Sequence, residues 1–103
     1  MPITVSSRDS VLTVALAGEI DHHGAREMMS QLEDAVATRL PARLVLDMSA
    51  VTFMDSSGIA VLLRTWRRLQ EAPGAMEVVA VPHQPWKVFA AAGLPKIIPM
   101  KAL

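Results

Sequence analysis

Cysteine is absent from this 103-residue chain, which excludes a disulfide framework, a thiolate metal site and a cysteine nucleophile, and leaves packing as the source of stability. Net charge is absent as well. Ten lysines and arginines balance ten aspartates and glutamates, so no overall field draws the protein to nucleic acid or anionic lipid. The sequence has neither a basic leader nor an apolar run of about 18 residues. It therefore gives no signal for secretion or membrane insertion, and the cytoplasm is the expected compartment. Linkers, repeats and low-complexity tracts are also missing, so residues 1–103 are read as one domain, a size that buries roughly two-thirds of the unfolded surface.

What is present concentrates in residues 45–68, VLDMSAVTFMDSSGIAVLLRTWRR, where a strand pattern meets a helix pattern. Leu44, Val45 and Leu46 form a short apolar run of the kind a strand buried on both faces shows, closed by Asp47. Beyond the turn Met54-Asp55-Ser56-Ser57-Gly58, Ile59, Leu62, Leu63, Trp66 and Leu69 recur at helical steps. Arg64, Arg67, Arg68 and Glu71 take the other face, which in most soluble proteins is simply a solvated one. Asp55 is suited to cap this helix by accepting from the backbone N–H of Ser57 or Gly58, which leaves Ser56 and Ser57 without capping duty. Their hydroxyls lie where unpaired N–H groups and the helix dipole favour an anion, so a phosphoryl group fits there. The plainer alternative is a well-made helix start and nothing more.

Around this unit the pattern alternates strands and helices. Strands are expected at 3–6 and 11–17, joined as an antiparallel hairpin across Ser7-Arg8-Asp9-Ser10. Asp21 caps a helix with the inward face Ala25, Met28, Met29, Leu32, Ala35 and Val36, ending near Leu40-Pro41. A strand at 44–47 precedes the helix carrying Ser56, which runs to about residue 71, where Pro73-Gly74 breaks it. Residues 76–81 read as a strand. Pro85 suits the first turn of a short helix through residue 92, with Gly93 as its C′ residue and Ile97-Ile98 as a last edge strand. The fold class is α/β: a mixed, mostly parallel sheet of about five strands with packed helices.

Other chemistry is weaker. Adjacent His22 and His23 point in different directions at a helix start, which disfavours a shared metal ion. Asp-Ser-Ser-Gly is not a Gly-x-Ser-x-Gly elbow, and no histidine is placed to serve as a base, so hydrolysis is not expected. A lone Gly58 is no glycine-rich phosphate cradle, which disfavours a small-ligand or nucleotide-binding function.

Phe53-Met54-Asp55-Ser56-Ser57-Gly58-Ile59, preceded by Leu46-Asp47-Met48, resembles the signature of STAS domains, and among them of bacterial anti-sigma factor antagonists. Leu16-Ala17-Gly18-Glu19-Ile20-Asp21-His22-His23 is similar to the segment leading into the first helix of the sporulation-type antagonists. Gly74-Ala75-Met76-Glu77-Val78-Val79, with Val88-Phe89 and Ala92-Gly93-Leu94, resembles the family's last strand-helix-strand unit. The sequence departs from the family at Ala60, where many members have a second glycine, and in the prolines Pro82, Pro85, Pro95 and Pro99.

The resemblance implies a phosphorylation-controlled binding switch with no cofactor and no catalysis of its own. The unmodified protein is expected to bind an anti-sigma factor that is also a serine kinase, freeing the sigma factor. The kinase, using ATP and magnesium, is expected to phosphorylate Ser56, and a metal-dependent serine phosphatase to reset it. Asp21, Asp55, Ser56, Ser57 and Gly58 form the expected partner-binding surface. A regulatory STAS subunit of a transporter or stress-sensing assembly is the alternative on the same fold.

Overall fold

Asp9 and Ser10 both hold positive φ, 51° and 67°, as the two central residues of a type I′ turn must. This turn joins β1 (Ile3–Arg8) to β2 (Val11–Ile20) with Arg8 opposite Val11, so the expected hairpin is present and tighter than the four-residue break suggested. The computed structural model describes residues 3–71 and 74–103. After the hairpin come α1 (His22–Arg39), β3 (Arg43–Met54), α2 (Ser57–Glu71), β4 (Ala75–Val81), α3 (His83–Ala91) and β5 (Met100–Ala102). The sheet order is β1-β2-β3-β4-β5, antiparallel at the first pair and parallel at the other three. Pro73, read as a helix breaker, lies outside the described residues.

Strand register builds the core. Leu12, Leu44 and Met76 form one cross-strand row, and Val14, Leu46 and Val78 the next, all at most 3% exposed. The alternate rows, Thr13-Val45-Glu77 and Ala15-Asp47-Val79, stay partly exposed. The inner strand is therefore buried on one face and not on both, because side chains alternate across the sheet and the buried residues of all three helices join the same core cluster. From α1 that cluster takes Ala25, Met28, Leu32 and Val36, while the expected Met29 and Ala35 flank it, partly buried.

β3, the buried face of α2 and the last strand depart from the sequence expectation, and β1 and β2 run on past it to Arg8 and Ile20. β3 continues past Asp47 to Met54, since pairing with β2 carries it there even though its apolar alternation lapses at Ser49 and Ala50. In α2 the buried stripe is Gly58, Val61, Leu62, Thr65 and Leu69, with Ile59, Leu63 and Trp66 partly buried beside it. Thr65 is admitted because its hydroxyl donates to the Val61 carbonyl at 2.8 Å. The last strand is Met100–Ala102 and not Ile97-Ile98. Gly93, at φ 75°, turns the chain into a 3-10 turn at Leu94–Lys96, where Ile97 and Ile98 both donate to the Leu94 carbonyl, leaving Ile98 buried and Ile97 half exposed.

Each fully buried side chain of leucine or methionine size contributes about 1.5–3 kcal/mol of transfer free energy. Leu46 lies between two strands in the innermost row. Leu46→Ala should lower the unfolding free energy by about 2–5 kcal/mol in chemical denaturation. A loss under about 1 kcal/mol would contradict the packing of this row.

Candidate functional site

β2 and β3 run parallel and end together, Ile20 opposite Met54, and the Asp55 N–H donates to the Ile20 carbonyl at 3.1 Å. The two aspartates that follow therefore emerge side by side beyond the C-terminal ends of neighbouring strands, the place where open α/β sheets present their sites. Each serves the helix it precedes. Asp21 Oδ1 accepts from the Gly24 N–H at 2.8 Å as the N-cap of α1. Asp55 Oδ1 accepts from the Ser57 N–H at 2.8 Å, while Gly58 and Ile59 donate to the Asp55 and Ser56 carbonyls to close the first turn of α2. Two helix starts, with their positive dipole ends, thus share one rim of the sheet.

The two serines are not equivalent. Asp55 is held below the usual aspartate pKa, first by the Ser57 backbone N–H, next by the Ser57 hydroxyl, and then by the His22 backbone N–H and ring, against the opposing effect of burial. Ser57 is partly buried, with its backbone N–H bound to Asp55, whereas Ser56 is exposed. The residues also open to different grooves. Ser56 borders one between α2 and α3, with Ile59, Lys87 and Val88; Ser57 borders one between α1 and α2, with His22, Ala60 and Arg64.

Gly58, expected among the partner-binding residues, is buried. A Cβ there would collide with the Met54 sulfur, and Met54 is itself fully buried, so the glycine lets α2 sit down on the end of β3. Its part in the site is packing. The rings of His22 and His23 sit edge to face with centroids 6.0 Å apart. Among the described residues no group of three or more histidine, aspartate or glutamate side chains is placed to hold a metal ion. Arg64 is drawn to Glu33 of α1 at 2.8 Å, an exposed pair of small energetic weight.

One contact of the site carried no sequence signal. The Gln84 side chain accepts from the Met54 N–H at 2.9 Å through Oε1 and donates to the Met54 carbonyl at 2.7 Å through Nε2. A single amide after the strand-ending Pro82 belongs to no period and no motif, and only the folded chain brings it to β3.

The profile of the STAS domain family matches residues 2–102, and the chain belongs to that family. It is similar to the anti-sigma F factor antagonist of Paenibacillus polymyxa, 32% identical over 97% of this chain and 86% of that protein. Among solved structures, an anti-sigma factor antagonist from Mycobacterium paratuberculosis aligns with a TM-score of 0.87 at 32% identity, covering 98% of this chain and 85% of that one. The Bacillus cell fate determinant SpoIIAA in its phosphorylated form shares the fold, with a TM-score of 0.74 at 24% identity over 98% of this chain and 91% of that one.

Two outcomes check this geometry. Gly58→Ala should destabilise the protein by about 1–3 kcal/mol through overpacking against Met54, measured by urea unfolding; unchanged stability would contradict the close approach. Asp55 has a lowered folded-state pKa, so its stabilisation is complete above the usual aspartate value and is lost as pH falls through that value toward the folded one. The gap in melting temperature between the parent and Asp55→Ala should therefore narrow between pH 7 and about pH 3. A gap independent of pH would mean that the carboxylate charge is not what the turn uses.

Proposed function

We propose that this protein is an anti-sigma factor antagonist whose binding is switched off by phosphorylation of Ser56. One observation carries the reading: Ser56 is the exposed serine of the pair, beside a carboxylate already committed to Ser57. The membership of the family and the names of the relatives support the partner class. In the unmodified state the rim formed by Asp21, Asp55 and Ser56 binds an anti-sigma factor that is also a serine kinase, and the sigma factor is released. The protein acts as a binding partner in the cytoplasm and not as an enzyme. The kinase supplies ATP, magnesium and the catalytic groups; this chain supplies the acceptor hydroxyl.

The switch is electrostatic in this reading. Phosphorylation adds roughly 1.5 to 2 negative charges. The α2 N-terminus tolerates an anion, because its dipole and unpaired N–H groups favour one. A partner surface matched to a neutral hydroxyl on this rim meets a dianion instead and is repelled. A serine phosphatase, metal-dependent by analogy with the family's cycles, restores the neutral form.

Incubation with the cognate kinase and ATP should place a single phosphate on Ser56 and none on Ser57, as read by peptide mass spectrometry. Phosphate on Ser57, or on neither serine, would refute the assignment. Ser56→Asp should melt at the parent temperature yet bind the anti-sigma kinase at least about tenfold more weakly, which is about 1.4 kcal/mol. Ser56→Ala should bind like the parent and resist switching. Equal affinities of Ser56→Asp and Ser56→Ala in titration calorimetry would show that charge at this turn does not control the partner.

A further inference from the structure

β4 pairs with β3 only as far as Asp47 opposite Val79, while β3 runs on for seven more residues to Met54. Along that extension β2 serves one edge of β3, and among the described residues the other edge has no strand. At its last residue the amide of Gln84 supplies what a strand would have supplied, one acceptor for the Met54 N–H and one donor for its carbonyl. An amide side chain matches a backbone residue in both senses at neutral pH, since it carries a carbonyl oxygen and an N–H donor together. The contact is partly buried, so water competes with it less than at a free edge.

Met54 is the residue on which the acceptor turn stands. Its side chain is fully buried beneath Gly58, and the next N–H in the chain, that of Asp55, is taken by Ile20. Gln84 also borders the groove that Ser56 borders, near the start of α3. We infer that Gln84 is a positioning residue for the Ser56 hydroxyl: by pairing with both backbone groups of Met54 it fixes the end of β3, and so the place at which Ser56 is presented to an incoming phosphoryl group. The inference rests on the assignment of Ser56 as the acceptor and names a residue of α3 on which that acceptor depends. Truncating the amide leaves the Met54 backbone to water and lets the strand end fray, with the hydroxyl displaced from the line of attack. Small displacements of this kind act on turnover more than on binding.

Two variants of the full-length protein test it. In Gln84→Ala, protection of the Met54 amide against hydrogen exchange, taken relative to Leu46 in the same strand, should fall roughly tenfold, the worth of one lost hydrogen bond. Phosphorylation by the kinase should lose roughly ten- to a hundredfold in kcat with KM little changed. Gln84→Glu provides the chemical control. Its carboxylate can accept from the Met54 N–H but turns a second acceptor on the Met54 carbonyl, so it should resemble Gln84→Ala at neutral pH. Once protonated, near pH 4 to 5, it regains a donor, and Met54 protection should recover relative to Leu46. A role confined to stability would lower Leu46 protection in parallel and show no recovery in acid, and that result overturns the inference. Parent-like kcat in Gln84→Ala despite lost Met54 protection also overturns it. Phosphate mapped in the parent to a residue other than Ser56 removes the acceptor assignment itself, and the peptide mass spectrum distinguishes that failure from the kinetic one.

Discussion

The parallel pairing of β2 with β3, and its ending in register at Ile20 and Met54, is the constraint on which the rest depends. It decides that two helix-capping aspartates lie next to each other although they stand far apart in the sequence. Register shifts at Ala15/Ala17 and Gly18/Glu19 take up the irregularity needed to make both strands end together, and Gly18, at φ 81°, supplies the left-handed backbone there. Without that adjustment the rim would be staggered, with Asp21 capping one helix start at a distance from the other.

Electrostatics on this rim follow from the backbone as much as from the side chains. Asp55 is stabilised as a carboxylate chiefly by the Ser57 N–H, with His22 of the neighbouring helix start adding to it. The same committed carboxylate separates the chemistry of the two adjacent hydroxyls. Elsewhere charge does structural work only. Glu77, on the uncovered side of the sheet, draws Arg43 from β3 and Lys101 from β5, and these lower its pKa, Arg43 most strongly. That cluster stitches three neighbouring strands on the face opposite the core.

Much of the architecture was legible because its elements obey strong local rules. The Asp21 cap, the Asp55 cap and the left-handed Gly93 each rest on one residue type whose conformational preference is nearly decisive. What escaped depended on partners distant in sequence. β3 looked short because Ser49 and Ala50 interrupt its apolar alternation, yet hydrogen bonds to β2 hold it as a strand regardless. Ile97-Ile98 read as a strand because paired β-branched residues favour one, but the carbonyl of Leu94 captured both N–H groups first. In the site, the aspartates and serines announced themselves by motif. The inward role of Gly58 and the pairing of Gln84 with Met54 were invisible, since both are defined by what the side chain of Met54 and the backbone around it leave unfilled.

The turn that carries Ser56 is tied down from three directions at once, by Ile20, by Gln84 and by the seating of Gly58 on Met54. None of these contacts uses the Ser56 hydroxyl, so a phosphate placed on it leaves all three standing. In the proposed cycle the signal is therefore stored in a covalent bond alone and not in a conformation that must relax. Such a device has no hysteresis: its state at any moment is set by the balance of kinase and phosphatase, and the last phosphate removed erases its history.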